Sequence, residues 1–397
     1  MTASAVATAI LGWVILTVVA RRTGPDGYAT FSAVWGLYFA ITTVLVGLQQ
    51  EVTRSLMSVD AQSSRPVLPG VLGLGGGLAV LTLCTSPWWA GSLEGTATLS
   101  TGGAMAAGVL AVTLMLLVNG TLAARGSWHS LAVMTLLEQV VRLAAVGLAL
   151  LLTSHPSSTV MTLAVAAGAV SFVLAPLVER RPGLLAGRVS GGLVAFSGRT
   201  AAAMISTGCA GLLVVGLPFL VTITNEDPDV ALGVVFAAIL LTRSPLLVPL
   251  TALRPLLVNL LVRHRGDLGR TALRGLPFAL AGGAVVVVGA YVLGPWVLRL
   301  AFGDAFTVDR SLMGWLAVAA LLLVAMTLTG IALVVLDHDL TSAAGWLLAT
   351  IVATVVLCTP LALESRVVAA LVAGPLAGMA LHMVAALRGQ RRVPARA

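Results

Sequence analysis

Residues 311–336 read SLMGWLAVAALLLVAMTLTGIALVVL, an unbroken apolar stretch with no charged side chain. At 1.5 Å of rise per residue, about twenty such residues cross the ~30 Å hydrocarbon layer of a bilayer as an α-helix. Working outward from this stretch, comparable runs fall near 4–20, 31–50, 68–87, 101–118, 129–152, 159–178, 201–223, 230–253, 273–294, 341–360 and 366–387. Together they predict an all-α integral membrane protein of about twelve transmembrane helices. The connections are short, so no soluble catalytic domain fits between them, and the chain reads as a non-enzyme.

Composition leads to the same class. Of 397 residues, 58% are hydrophobic and only 10% charged, with a mean hydropathy of +1.04. A soluble domain carries roughly 25% charged residues, so this chain lacks the polar surface to cover a globule. All 23 basic side chains are Arg, and the formal net charge is +8. Such a balance fits nucleic-acid binding in a soluble protein. Here the Arg residues gather in short loops between apolar runs, which is how membrane proteins fix their orientation, so no nucleic-acid partner is expected. Affinity for anionic lipid headgroups is a second reading of the same charge. Cys84, Cys209 and Cys358 each lie within an apolar run and are read as packing residues, not as a disulfide framework or metal set. The run Ala3–Ala20 has no basic segment before it and ends at Arg21-Arg22, so it is read as a first span and not as a signal peptide.

Alternate loops divide the charge unevenly. With the N-terminus inside, fifteen Arg residues fall on the cytoplasmic side and five outside, at Arg21, Arg22, Arg299, Arg310 and Arg366. The bias predicts both termini in the cytoplasm of a multi-pass protein in the cytoplasmic membrane. The chain also reads as doubled. Pro25-Asp26 follows the first span and Pro228-Asp229 follows the seventh, each ahead of a long apolar helix that reaches an Arg cluster. This predicts an N-terminal six-helix bundle over 1–178, a cytoplasmic linker over 179–200 and a C-terminal six-helix bundle over 201–397, pseudo-symmetric halves like those of many transporters.

An ionised group within a span costs at least about 2.5 kcal/mol at the bilayer centre, so it faces a cavity or a partner. Glu138 and Arg142 stand four residues apart on one face of the fifth span. They read either as a self-neutralised packing pair or as cavity lining. Thr242-Arg243-Ser244-Pro245, followed by Pro249, Arg254 and Pro255, interrupts the hydrogen-bond ladder and predicts a kinked, cavity-lining eighth span. There Arg243 would grip phosphate oxygens through its guanidinium fork. In the plainer reading Arg254 snorkels to the interface and Arg243 pairs with a carboxylate. The polar end of the second span, Gln50, Glu51 and Arg54, and the start of the seventh, Arg199, mark either an inward entrance or helix ends leaving the membrane. Gly73–Gly77 lies in an apolar span with no strand before it, so it is read as a close-packing surface and not as a dinucleotide loop. Asn119-Gly120-Thr121 falls on the expected inner side, and Asp337-His338-Asp339 reads as a solvated turn and not as a metal site.

Several of these segments, taken in order, also resemble a family. Arg21-Arg22-Thr23-Gly24-Pro25-Asp26-Gly27-Tyr28-Ala29-Thr30-Phe31 is similar to the R-x-L-G-P-x-x-Y-G-x-F motif of polysaccharide-export flippases in the MOP superfamily. Gly47-Leu48-Gln49 to Thr53-Arg54 resembles the end of that family's second helix. Arg243-Ser244-Pro245 resembles its eighth, and Leu300-Ala301-Phe302-Gly303-Asp304-Ala305-Phe306 resembles its L-x-F-G-x-x-F loop. The resemblance implies two six-helix bundles around a central cavity and alternating access that carries a polyprenyl-pyrophosphate-linked oligosaccharide outward. It implies no cofactor, leaves coupling to a proton or sodium ion open, and suggests glycan polymerases or glycosyltransferases as partners beside the membrane lipids. A cation-coupled exporter of small molecules and a non-transporting scaffold of a glycan-assembly complex are the alternative readings.

Overall fold

The computed structural model describes residues 2–57, 65–94, 98–153, 155–189, 192–225, 232–263, 268–336 and 338–390. Nearly all of these are helical. A two-residue antiparallel pairing, β1 (Arg65–Pro66) with β2 (Arg188–Val189), is the only sheet among them. Contacts divide the chain into one unit over Met1–Ile223 and another over Thr224–Ala397. The segment expected as a linker, 179–200, therefore lies within the first unit.

That unit opens with α1 (Thr2–Met57), which is two helices meeting at Gly24. Gly24 adopts φ 69° and ψ −174°, a region open essentially to glycine alone. Pro25 has no N–H to satisfy and a ring preset for a first helical turn, so the second helix begins at once. The sequence predicts a ten-residue connection over 21–30. The structure needs a single non-helical residue, and Arg21, Arg22 and Tyr28 are all helical. After α1 come α2 (Leu68–Trp89), a short turn α3 (Gly91–Glu94), α4 (Thr98–Ala124) and α5 (Trp128–Leu152). The sixth pass, Ser158–Val178, consists of α6 (Ser158–Ala167), a 3-10 stretch over Gly168–Leu174 and α7 (Ala175–Val178). The seventh expected span is also broken. α8 (Gly192–Val214) and α9 (Leu217–Thr224) meet at a bend of 67°.

The long second part of α1 forms the spine of this unit, packing against α8, α4 and α5. Small residues permit the approach to α8. A Cβ at Gly47 would lie 2.5 Å from the Ala203 backbone, and those at Gly208 and Gly211 would lie 2.7 Å from the side chains of Val44 and Thr43. In a bilayer, where lipid tails are as apolar as leucine, such close van der Waals contact drives helix association. The glycine run 73–77 contributes once: Gly75 accepts Thr113 from α4, whereas Gly73, Gly76 and Gly77 face open space.

The second unit contains α10 (Leu232–Arg263), α11 (Leu268–Phe302), α12 (Arg310–Val335), α13 (Asp339–Leu357) and α14 (Leu363–Gln390). α10 runs as one helix through Pro245, Pro249 and Pro255, although each proline removes a donor from its ladder. α13 and α14 interlock at Gly345, Gly374 and Gly378, where added Cβ atoms would meet His382, the Ala349 carbonyl and the Gly345 carbonyl.

Among the described residues ten helices are long and apolar enough to cross a membrane, and the bent pair α8–α9 makes an eleventh. The first of the ten, Val6–Met57, has 52 residues. At 1.5 Å per residue that is about 78 Å, more than twice a ~30 Å bilayer core, so its division at Gly24 leaves room for two passes.

Candidate functional site

The ionisable residues singled out in the spans of the first unit form two separate carboxylate–guanidinium clusters. Glu138 and Arg142 project from α5. Arg142 is completely buried and Glu138 nearly so. Arg142 Nη2 bonds Glu138 Oε1, and Arg142 Nε donates to the Val165 carbonyl of α6 at 2.8 Å. The guanidinium carbon also lies 6.0, 5.8 and 5.0 Å from the ring centroids of Trp35, Tyr38 and Phe39 on α1. In a desolvated setting each favourable cation–π contact contributes up to about 2 kcal/mol, which offsets part of the penalty for burying the charge. The fit is close. A Cβ at Gly168 would stand 2.7 Å from the Glu138 carbonyl oxygen and 3.0 Å from Arg142 Cζ. The sixth pass changes from α to 3-10 geometry at this residue. Arg142 thus joins α5, α6 and α1 and presents no surface to solvent, which corresponds to the packing-pair reading of these residues.

The second cluster lies where α1 and α8 meet near Met57. Glu51 is buried, and Arg54, one turn further along α1, holds it with two bonds, Nε to Oε2 at 2.8 Å and Nη2 to Oε1 at 2.7 Å. Ser55 donates to the same Oε1 at 2.9 Å, and Arg199 donates from α8 through Nε at 2.7 Å. Two guanidinium groups on one carboxylate leave a net positive charge. Unlike Arg142, both are open: 58% of the Arg54 side chain and 42% of that of Arg199 are exposed. Gln50 beside them is exposed. The sequence places Glu51 and Arg54 together, but Arg199 is 148 residues away and only the packing of α8 on α1 brings it in.

More basic groups line this end of the unit. Arg125, just beyond α4, donates through Nη2 to the carbonyls of Pro182 and Gly183 at 3.1 and 2.8 Å, strapping down the stretch after α7. Glu179 in that stretch accepts from Ser130 Oγ at 3.0 Å. Hydrogen bonds from Ser127, the Arg181 N–H and Ser130 hold its carboxyl below the usual carboxylate range. Arg188 stands on β2, paired with Pro66.

In the second unit Arg243 is buried within α10. The side chain of Arg254, and with it that candidate, lies outside the described residues, as do Pro228-Asp229 and Asp337. Sequence reasoning missed the aromatic cage, although Trp35, Tyr38 and Phe39 follow the i, i+3, i+4 spacing of one helix face. It also passed over His382, buried on α14 with Nδ1 2.9 Å from Thr329 Oγ1 and Nε2 3.2 Å from the Ser342 carbonyl. A lone histidine in an apolar run carries no spacing signal.

No family model matches the chain. It is similar along almost its whole length to curated relatives. The uncharacterized protein Rv3630 of Mycobacterium tuberculosis is 32% identical over 399 residues, covering 98% of this chain and 91% of the relative. The uncharacterized protein Rv1510 of the same organism is 31% identical over 401 residues, covering 97% and 90%. Among solved structures, a multidrug resistance MATE family transporter of the MOP superfamily in its inward-facing conformation superposes with a TM-score of 0.71 at 13% identity, covering 97% of this chain and 96% of that one. A MOP superfamily transporter from Pyrococcus furiosus, described as having a binding pocket of reverse polarity, superposes at 0.59 and 15% identity, covering 98% and 95%. At such identities the likeness establishes the fold. The chain belongs to the family of these uncharacterized mycobacterial proteins, and its architecture is that of the MOP superfamily transporters.

Proposed function

We propose that this protein is a transporter working by alternating access, and that its cargo is a polyprenyl-pyrophosphate-linked oligosaccharide carried across the cytoplasmic membrane. The observation that carries the substrate class is the cluster at the α1–α8 junction, where Arg54 and Arg199 converge on Glu51 with much of their surface exposed. Guanidinium groups fixed by a shared carboxylate are pre-oriented to bond phosphate oxygens in pairs, and little side-chain entropy remains to be lost on binding. Twenty-three Arg side chains without a single Lys fit a preference for phosphate. In this reading the termini and the Arg54–Arg199 end face the cytoplasm, the pyrophosphate docks there first, and glycosyltransferases or a glycan polymerase supply and consume the lipid-linked glycan.

A cation-coupled drug exporter needs a carboxylate that trades a proton or sodium ion for cationic cargo. Glu51 and Glu138, the two carboxylates singled out in the first unit's spans, are both held by Arg, which favours anionic cargo. The test is reconstitution in liposomes with a fluorescent polyprenyl-pyrophosphate oligosaccharide, in parallel with a cationic dye. Wild type is expected to move the lipid and not the dye. Arg199→Ala is expected to slow lipid movement about tenfold or more, the equivalent of one charge-assisted hydrogen bond. Movement of the dye alone would reverse the assignment.

A further inference from the structure

The loop that joins α11 to α12 is built as a rigid corner. Phe302 and Phe306 are buried against each other with ring centroids 5.7 Å apart, and Gly303 turns the chain with φ 111°. The corner sets Arg299, in the last turn of α11, and Arg310, the first residue of α12, on the walls of an open groove of about 530 Å³. Tyr291, Trp296 and Asp309 also line it. Arg299 and Arg310 are exposed and, among the described residues, neither side chain makes an ion pair or hydrogen bond. With Asp309 included, the groove keeps a net positive charge.

Two features identify what suits this groove. Tyr291 and Trp296 are 47% and 58% exposed, as befits aromatic rings at headgroup depth. Below them, α11 turns outward. The most apolar eighteen-residue stretch of Gly275–Phe302 has no buried residue, and Leu280, Val285 and Val288 are all exposed. A ligand that is anionic at one end and hydrocarbon along its length matches both parts at once. A free anion would leave the apolar rail unused, and a neutral sugar would leave the guanidinium groups without partners.

We propose that the α11–α12 groove is a binding site for a phosphate-headed lipid, with Arg299 and Arg310 on the phosphate, Trp296 at headgroup depth and the tail along α11. This site is separate from the Arg54–Arg199 cluster and stands whether or not the chain carries glycans. Dodecyl phosphate is the probe, with dodecyl maltoside and inorganic phosphate as its two halves, measured by equilibrium binding to the full-length protein in detergent. Saturable binding of dodecyl phosphate is expected, weakened at least tenfold in Arg299→Gln/Arg310→Gln and largely restored in Arg299→Lys/Arg310→Lys. In the unaltered protein a diazirine-bearing alkyl phosphate should crosslink to residues of α11 or the start of α12, a readout that does not depend on how the variants fold. Unchanged binding in the Gln pair, equal competition by inorganic phosphate, or crosslinks confined to other helices would each overturn the proposal.

Discussion

Glu138–Arg142 and Glu51–Arg54–Arg199 use the same two side-chain chemistries in the same unit, yet one is sealed and the other open. Around Arg142 three aromatic rings, a carbonyl and a glycine close the space, so its charge is spent on holding α5, α6 and α1 together. Around Glu51 the carboxylate is buried but the guanidinium groups are half in solvent, so they remain able to meet a ligand. Burial, not residue identity, separates an arginine that holds helices together from one left open to solvent.

The contrast breaks most sharply at Arg142. Arg142→Ala leaves Glu138 buried without its partner and should destabilise the protein by about 3–5 kcal/mol, seen as a large drop in melting temperature or loss of folded protein. Arg142→Met with Glu138→Leu should recover most of that loss, and a double variant no more stable than the single would contradict the sealed-pair account. A smaller effect is expected from Gly168→Ala, whose methyl group must displace the Glu138 carbonyl or the guanidinium. Overpacking of this kind costs about 1–3 kcal/mol, and thermal unfolding of the purified variant measures it. Arg199→Ala sharpens the comparison from the other side. Its partly exposed bridge is worth at most about 1 kcal/mol, so the melting temperature should barely move while transport of an anionic lipid falls. A variant that loses stability in proportion to activity would make Arg199 a second Arg142.

The smallest effect concerns acid. Glu179 has its carboxyl held low by the hydrogen bonds of Ser127, Arg181 and Ser130, so its folded state binds a proton less readily than its unfolded state. The stabilisation is present above the ordinary carboxylate value of about 4.3 and fades as pH falls through the depressed folded value. Melting curves between neutral pH and roughly pH 3 should show Glu179→Gln losing less stability on acidification than wild type. Parallel curves would remove Glu179 from the acid response.

How much of this was legible beforehand follows from range. The twelve apolar runs could be read because the bilayer imposes a length on every crossing, and 311–336 is readable without any other part of the chain. The Glu138–Arg142 pair was legible for a similar reason, since four residues is one helical turn. Its surroundings were not, because Trp35 and Val165 reach it from other helices. The turn at Gly24 shows the limit within a local motif. Gly24-Pro25 announces a break, but its one-residue length depends on how the two flanking helices pack.

Hydropathy and helical rise act residue by residue, so the amino-acid order alone reveals that the chain lives in lipid, about how many times it crosses, and that arginine is the cation it uses. Tertiary structure alone decided which arginines are enclosed and which are open. It delivered Arg199 to Glu51 across 148 residues, closed aromatic rings over Arg142 and left Arg299 and Arg310 facing a groove. Solvent access belongs to a packed neighbourhood and to no single residue, so it could be known only once the helices were in contact.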